Sequence, residues 1–344
     1  MNTEALTIPN ELNTLSAKIG QTRSLVQGAG GNISIKQGDI CWVKASGQWL
    51  AHALEKPIFL PVSISAYQSD ATDSVPDIKQ YLLCESNMPP SIETAMHLLM
   101  PHTCVAHVHS VNALFWLVQE NGEELLNKRL ESLSEKWRWI PYVKPGLPLT
   151  KSIKATLDEC DADILFLANH GVVIGAGSIQ QAWEKLNQLE TLLEQPSRAL
   201  SDTTQLTNLP KTEQFERKMP NHSIIHQLAT DPTCFKFIQK GAVYPDHVVF
   251  LGKFPCVVKK GESFSQVVDG YTKIYNKPPD YVVIEQKGVV LNQQASQSLE
   301  EMLWCQAMLL SKLHGHEKIR YLTEDEMNAL INWDAEKYRA SIQS

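Results

Sequence analysis

The chain has 344 residues, a formal net charge of -7 at pH 7 and 43% hydrophobic residues. That length suits one large or two modest domains with ample material for a buried core. The modest negative charge carries no electrostatic footprint for nucleic acid, and no apolar run approaches membrane-spanning length.

The seven cysteines, Cys41, Cys84, Cys104, Cys160, Cys234, Cys256 and Cys305, are odd in number and contain no C-x-x-C pair. Such spacing indicates free thiols in a reducing compartment rather than a disulfide framework. Residues Met1 to Leu12 lack a charged segment followed by an apolar one, so no signal peptide is expected and the expected location is cytoplasmic.

Taken in chain order, a helix is expected near Pro9 to Ile19, leading into the glycine-rich turn Gly28-Ala29-Gly30-Gly31-Asn32. Strands follow around Asn32 to Lys36 and Ile40 to Lys44. A helix starts near Ser91, and a strand covers Thr103 to His109. Helices are expected near Asn112 to Gln119 and Ser152 to Asp158, then strands at Ile164 to Leu167 and Val172 to Ile174. A helix over Ile179 to Glu194 closes the first part. Strands that follow one another through short turns should pair antiparallel.

Residues 201–215 are polar and read as a linker between a first domain over 1–200 and a C-terminal α/β region over 216–344. In that region Val248 to Leu251 and Tyr281 to Ile284 are apolar runs, and helical patterns span Ser296 to His314 and Glu324 to Ala340. The stretch Asp280 to Leu291 also lines up with Asp163 to Ile174. The aspartate, the glycine and two valines coincide, and Lys287 stands where the first stretch has His170. Two readings stand: a partial duplication whose second copy lost a metal ligand, or two strand–turn–strand units with the same local solution.

The chemistry concentrates in three short pieces. A strand alternates its side chains, so His107 and His109 point to one face, roughly 6.5 to 7 Å apart along the chain. His170 ends an apolar run beside Gly171, where the backbone can turn tightly. Three neutral imidazoles with an open fourth position make a catalytic rather than a structural metal site. Each piece also has a plainer reading: H-x-H as a hydrogen-bonded core pair, Asn169-His170-Gly171 as a turn, and Glu93 as a first-turn glutamate favoured by the helix dipole. Gly28, Gly30 and Gly31 leave backbone N–H groups open to an anion, to which Asn32, Ser46 and Ser91 can add side-chain donors.

Together these residues resemble the class II aldolase/adducin superfamily. The motifs that carry the resemblance are Gly30-Gly31-Asn32-Ile33-Ser34, Lys44-Ala45-Ser46-Gly47, Ser91-Ile92-Glu93, His107-Val108-His109, Pro141-Tyr142-Val143-Lys144-Pro145-Gly146 and Asn169-His170-Gly171, in family order. The likeness is greatest to a long bacterial branch related to the aldolase half of bifunctional rhamnulose-1-phosphate aldolase/alcohol dehydrogenases. It extends to Pro245-Asp246-His247 and to Trp333 through Arg339.

The resemblance implies a three-layer α/β/α fold around a largely antiparallel sheet, with Zn2+ or another divalent metal on His107, His109 and His170. It implies that Glu93 is the catalytic base and acid, able to contact the metal when substrate is absent, and that Tyr142 serves the leaving aldehyde oxygen, typically from a neighbouring subunit. Gly31, Asn32, Lys44, Ser46, Gly47 and Ser91 are implied to hold a substrate phosphate or equivalent anion. Lys44 and Ile92 depart from the usual family residues, and Lys44 can act as a point charge on phosphate or select a carboxylate.

The implied reaction is retro-aldol cleavage of a ketose phosphate through a metal-stabilised enediolate, by a homo-oligomer that is often a tetramer. The same site serves epimerases, dehydratases and sugar-acid decarboxylases, and an adducin-like scaffold without chemistry is a further alternative. A nucleotide-dependent dehydrogenase is excluded, because Gly28 to Ile33 and Gly175 to Gln180 both fail G-x-G-x-x-G at its last position.

Overall fold

The computed structural model describes residues 7–70, 77–199 and 216–341. The expected linker over 201–215 lies outside them. The chain divides into two compact units, one over 1–117 and 121–194 and the other over 118–120 and 195–344. Among the described residues no helix is long and apolar enough to cross a membrane.

The first unit runs α1 (Asn10–Gln21), β1 (Asn32–Gln37), β2 (Ile40–Lys44), β3 (Phe59–Ser63), α2 (Ile64–Ser69), α3 (Thr94–Leu99) and β4 (Cys104–Val108). It continues with α4 (Val111–Leu117), α5 (Gly122–Arg129), β5 (Trp137–Ile140), α6 (Leu147–Glu159), β6 (Ile164–Leu167), β7 (Gly171–Ala176) and α7 (Ile179–Leu193). Seven strands form one sheet in the order β3-β2-β1-β4-β7-β6-β5. Every neighbouring pair is antiparallel except β5 and β6, so the largely antiparallel sheet expected from the family likeness is present. Against one face pack α3 and α6, through a core of Met96, Met100, Val105, Ile140, Leu149, Ile153, Leu165 and Val173.

The sheet order decides where the motifs go. β1 runs antiparallel to both β2 and β4, and β7 antiparallel to both β4 and β6. The start of β1, the ends of β2, β4, β5 and β6 and the start of β7 therefore share one rim. The glycine turn, Lys44 to Gly47, His109, Tyr142 and His170 all meet there. Ser91 joins them because Ala45 bridges Pro90 and the Ser46 N–H donates to the Pro89 carbonyl at 2.9 Å. The expected helix at Ser91 starts later, at Thr94, with Glu93 at the capping position. Ser91 instead accepts the Glu93 N–H on its hydroxyl at 3.2 Å.

The second unit contains β8 (Arg217–Lys218), α8 (Gln227–Thr230), α9 (Pro232–Ile238), α10 (Pro245–Leu251), β9 (Cys256–Val258), α11 (Phe264–Tyr275), β10 (Tyr281–Ile284), β11 (Gly288–Asn292), α12 (Gln297–Ser311), α13 (Glu324–Ile331) and α14 (Asp334–Ser341). The apolar run at Val248 is helical, started by Pro245 in the first turn, where its missing N–H costs nothing. The single helix expected over Glu324 to Ala340 is two helices. A capping box at Thr323 and Glu326 starts the first, and non-helical backbone at Trp333 separates it from the second.

The four strands of this unit follow the order β8-β11-β10-β9. Their pairing senses match β4-β7-β6-β5 throughout, including the parallel outer pair. Ile164 pairs with Ile174 and Leu167 with Gly171; Tyr281 pairs with Leu291 and Ile284 with Gly288. Both turns carry a left-handed residue, Asn169 at φ 50 and Gln286 at φ 61. Ser178 and Ser296 each cap a helix of 15 residues. One shared hairpin would not produce this agreement over four strands and two crossovers, which favours duplication. By extension of these pairings, Met219, Asn221 and Lys287 of the second unit correspond to His107, His109 and His170.

Candidate metal centre

Four side chains converge on the rim. The Nε2 atoms of His107 and His109 lie 3.0 Å apart, and Glu93 Oε1 lies 3.2 Å from His107 Nε2 and 3.6 Å from His170 Nε2. All four ligand atoms fall within 4.8 Å of one another. Around a tetrahedral ion with bonds of about 2.0–2.1 Å, ligand atoms stand about 3.3 Å apart, so these separations fit one divalent ion.

Local structure explains the arrangement. His107 lies within β4 and His109 one residue beyond it, yet the strand alternation carries both to one side. The His107 ring donates from Nδ1 to the Val172 carbonyl at 3.0 Å. A carbonyl can only accept, so Nδ1 carries a proton and Nε2 is the ring atom that would face a cation. His170 follows the left-handed Asn169, a residue type that adopts this conformation at little cost.

Gly171 is required by space. A Cβ there would meet the Val108 carbonyl oxygen at 2.5 Å, His109 Cδ2 at 3.0 Å and His107 Cε1 at 3.1 Å. Gly31 meets a similar limit, with φ +65 and the His107 carbonyl oxygen 2.8 Å from where a Cβ would stand.

The three imidazoles are buried. Burial holds His170 down at about 4, although contact with Glu93 opposes that shift. For Glu93, burial pushes the carboxyl up, but the charge and hydrogen bonds of His107 and His170 outweigh it and hold it well below the usual range. The His170 Nδ1 atom is buried with no hydrogen-bond partner among the described residues. A buried, solvent-shielded set of ring nitrogens beside one carboxylate suits a divalent cation.

The anion-binding candidates occupy the same rim with different engagements. Asn32 is 1% exposed, accepts the Lys44 N–H on Oδ1 at 3.2 Å and keeps a buried Nδ2 with no hydrogen-bond partner among the described residues. An unsatisfied buried amide is costly, and an acceptor at this position would relieve that cost. Gly47 adopts φ 71, and Ser46 and Ser91 are 8% and 7% exposed. Lys44, read from sequence as a phosphate cation, is 2% exposed and donates to the carbonyls of Ala29 at 2.9 Å and Gln48 at 2.7 Å. Its ammonium ties the glycine turn to the following loop. Tyr142 lies two residues beyond β5 on the same rim, outside the ligand group.

The spacing of four residues puts His97 on the helix face of Glu93, where the sequence reads it as a partner of that glutamate. It is fully buried, and its Nδ1 lies 2.8 Å from Ser34 Oγ instead.

Comparison with known proteins agrees with this geometry. Residues 10–196 match the model of the class II aldolase and adducin N-terminal domain. An uncharacterized oxidoreductase of Bacillus subtilis, YuxG, is 26% identical over 193 residues, which is 51% of this chain but 27% of that protein. The L-fuculose phosphate aldolase of Methanococcus vannielii is 26% identical over 175 residues, covering 49% of this chain and 85% of the relative. The solved N-terminal class II aldolase domain of a Thermoplasma acidophilum protein is 22% identical, with a TM-score of 0.46, and covers 56% of this chain and 97% of that one. Through residues 10–196, more than half its length, the chain belongs to the class II aldolase and adducin N-terminal domain family.

Proposed function

We propose that this chain is a zinc-dependent aldehyde-lyase that cleaves a ketose phosphate into a dihydroxyacetone-phosphate-like fragment and an aldehyde. The observation that carries the reading is the convergence of three imidazole Nε2 atoms and one carboxylate oxygen on a single tetrahedral-sized space. The name of the fuculose phosphate aldolase relative supports the substrate class.

When bound, a divalent cation supplies Lewis-acid polarisation of the substrate carbonyl and its neighbouring hydroxyl. His107, His109 and His170 would hold that cation, with Glu93 able to complete the set. Asn32 Nδ2, the Gly31 and Gly47 backbones and the Ser46 and Ser91 hydroxyls hold the phosphate, with Lys44 fixing the turn that presents them.

Cleavage breaks the bond between the carbon beside the carbonyl and the hydroxyl-bearing carbon. The electron pair stays on the carbonyl fragment. The proton released as the hydroxyl becomes the aldehyde passes through Tyr142, which serves that oxygen, to the Glu93 carboxylate, which returns it to the carbon that keeps the electron pair. Tyr142 acts from a neighbouring subunit, so turnover requires a homo-oligomer, most simply a tetramer. The seven free cysteines support a reducing, cytoplasmic setting.

The test is metal content of untagged, chelator-free protein by elemental mass spectrometry, followed by zinc loading and a panel of ketose phosphates. One metal per chain with release of an aldehyde and a triose phosphate supports the reading. An epimer, a dehydrated product or carbon dioxide would reassign the same site to that reaction. No metal, even with zinc in excess, would favour an adducin-like scaffold.

A further inference from the structure

The chain Asn32-Ile33-Ser34-Ile35-Lys36 alternates polar and apolar residues, a pattern that ordinarily marks a strand with one face in water. In β1 both faces are covered. Ile33 and Ile35 are buried, but so are Asn32 at 1% and Ser34 at 0% exposure, and Lys36 is partly buried. Burial of a polar face is unfavourable unless each group finds a partner.

The partners of Ser34 and Lys36 lie on α3 and on Met100, the residue that caps its C-terminus. Ser34 Oγ is 2.8 Å from His97 Nδ1 in the middle of that helix. The Lys36 ammonium donates to the carbonyls of Met100 and Leu98 at its C-terminal end. That end carries the unsatisfied carbonyls of the helix, which a cation complements. Burial lowers the Lys36 pKa from its ordinary value, yet the ammonium remains tied to these two acceptors.

α3 has only 6 residues, too few to be stable alone. At its other end stands Glu93, whose carbonyl accepts the His97 N–H at 3.3 Å. β1 also pairs through its backbone with the metal strand, Asn32 opposite His107 and Ser34 opposite Val105. One strand is thus in direct register with the histidine ligands and holds, by side chains, the helix that carries the glutamate.

We propose that Ser34, Lys36 and His97 form a positioning device that sets the Glu93 carboxylate against the three histidines. This rests on the reading of Glu93 as a metal-contacting acid and base. Ser34 and Lys36 grip α3 at two points, and the rigid distance along β1 becomes the distance between carboxylate and imidazoles. None of the three belongs to the candidate ligand group; they act through Glu93.

The experiment uses full-length protein loaded with Co2+ in place of the native ion. Ligand-field spectra and Co2+ dissociation constants are measured for wild type, Glu93→Gln, Ser34→Ala, Lys36→Met and His97→Gln. Glu93→Gln defines the signature of a lost carboxylate ligand. Ser34→Ala and Lys36→Met, which grip opposite parts of α3, should each shift the spectrum toward that signature and weaken Co2+ binding roughly tenfold, the scale of an outer-shell loss. Combining either with Glu93→Gln should add no further spectral change. With a turned-over substrate, kcat should fall while KM holds.

Wild-type spectra and affinities in both Ser34→Ala and Lys36→Met, with an altered spectrum in Glu93→Gln, would overturn the positioning proposal alone. An unaltered spectrum in Glu93→Gln would instead overturn the reading of Glu93 on which it rests. A variant that fails to fold is replaced by the other, because the two contacts are separate.

Discussion

His107 and His109 face each other with their Nε2 atoms 3.0 Å apart and their rings at 74°. The His107 proton is committed to the Val172 carbonyl through Nδ1. Its Nε2 lies against a neighbouring imidazole nitrogen and the Glu93 carboxylate in a buried site, an arrangement that a shared cation would stabilise.

Replacement of His107, His109 or His170 by alanine should remove the metal from protein purified without chelators. Glu93→Gln should keep the metal and lose turnover, on the order of 10²–10⁴-fold for a general acid–base group. Elemental mass spectrometry and steady-state kinetics on the four variants check this. Full metal occupancy in the triple alanine variant would refute the assignment.

Gly171→Ala should disturb the site without touching a ligand atom. Its methyl group meets the Val108 carbonyl and both imidazoles of the metal strand, so the rings must shift. Overpacking of this kind costs about 1–3 kcal/mol. A lower midpoint in thermal unfolding together with reduced metal content is expected; loss of stability with unchanged metal content would separate the turn from the site.

Acid should destabilise the second unit through His247. Its ring is 1% exposed, neither nitrogen has a hydrogen-bond partner among the described residues, and Tyr244 lies against it at 4.2 Å. Burial holds His247 down at about 3, against an ordinary value of 6.5. Between those values the unfolded chain binds a proton that the folded chain does not, so stability falls as pH falls, by about 1.4 kcal/mol per pH unit for one such histidine. Denaturant titrations at pH 6 and pH 5 should show a shallower pH dependence in His247→Met than in wild type.

The two capping serines offer a test of the internal repeat. Ser178 accepts the Gln181 N–H and Ser296 the Leu299 N–H, both at 3.2 Å. Alanine at either position should cost about 0.5–2 kcal/mol, and equivalent positions should cost similar amounts. Chemical denaturation of Ser178→Ala and Ser296→Ala measures both.

Much of the site was legible because its chemistry is local. H-x-H on a strand sends two imidazoles to one face whatever the strand pairs with, and Asn169 beside Gly171 marks a tight turn from residue type alone. The hairpin β6–β7 and its counterpart β10–β11 were visible as repeated residues. The extent of the repeat was not, since the matching strands β5 and β9 share no motif. Lys44 shows a related limit: its charge is plain in the sequence, but the Ala29 and Gln48 carbonyls to which its ammonium donates lie in separate turns.

Residue types and spacing, then, singled out His107, His109, His170 and Glu93, which the structure brings into one group, since alternation and turn propensity operate over a few residues. Strand order was decided at the tertiary level. It brings the start of β1, the end of β4 and the β6–β7 turn to one rim through pairings between distant segments, and no local pattern encodes those. The same order buries the polar face of β1, which alternation alone would send to solvent, because α3 returns to cover it and supplies the partners that Ser34 and Lys36 need.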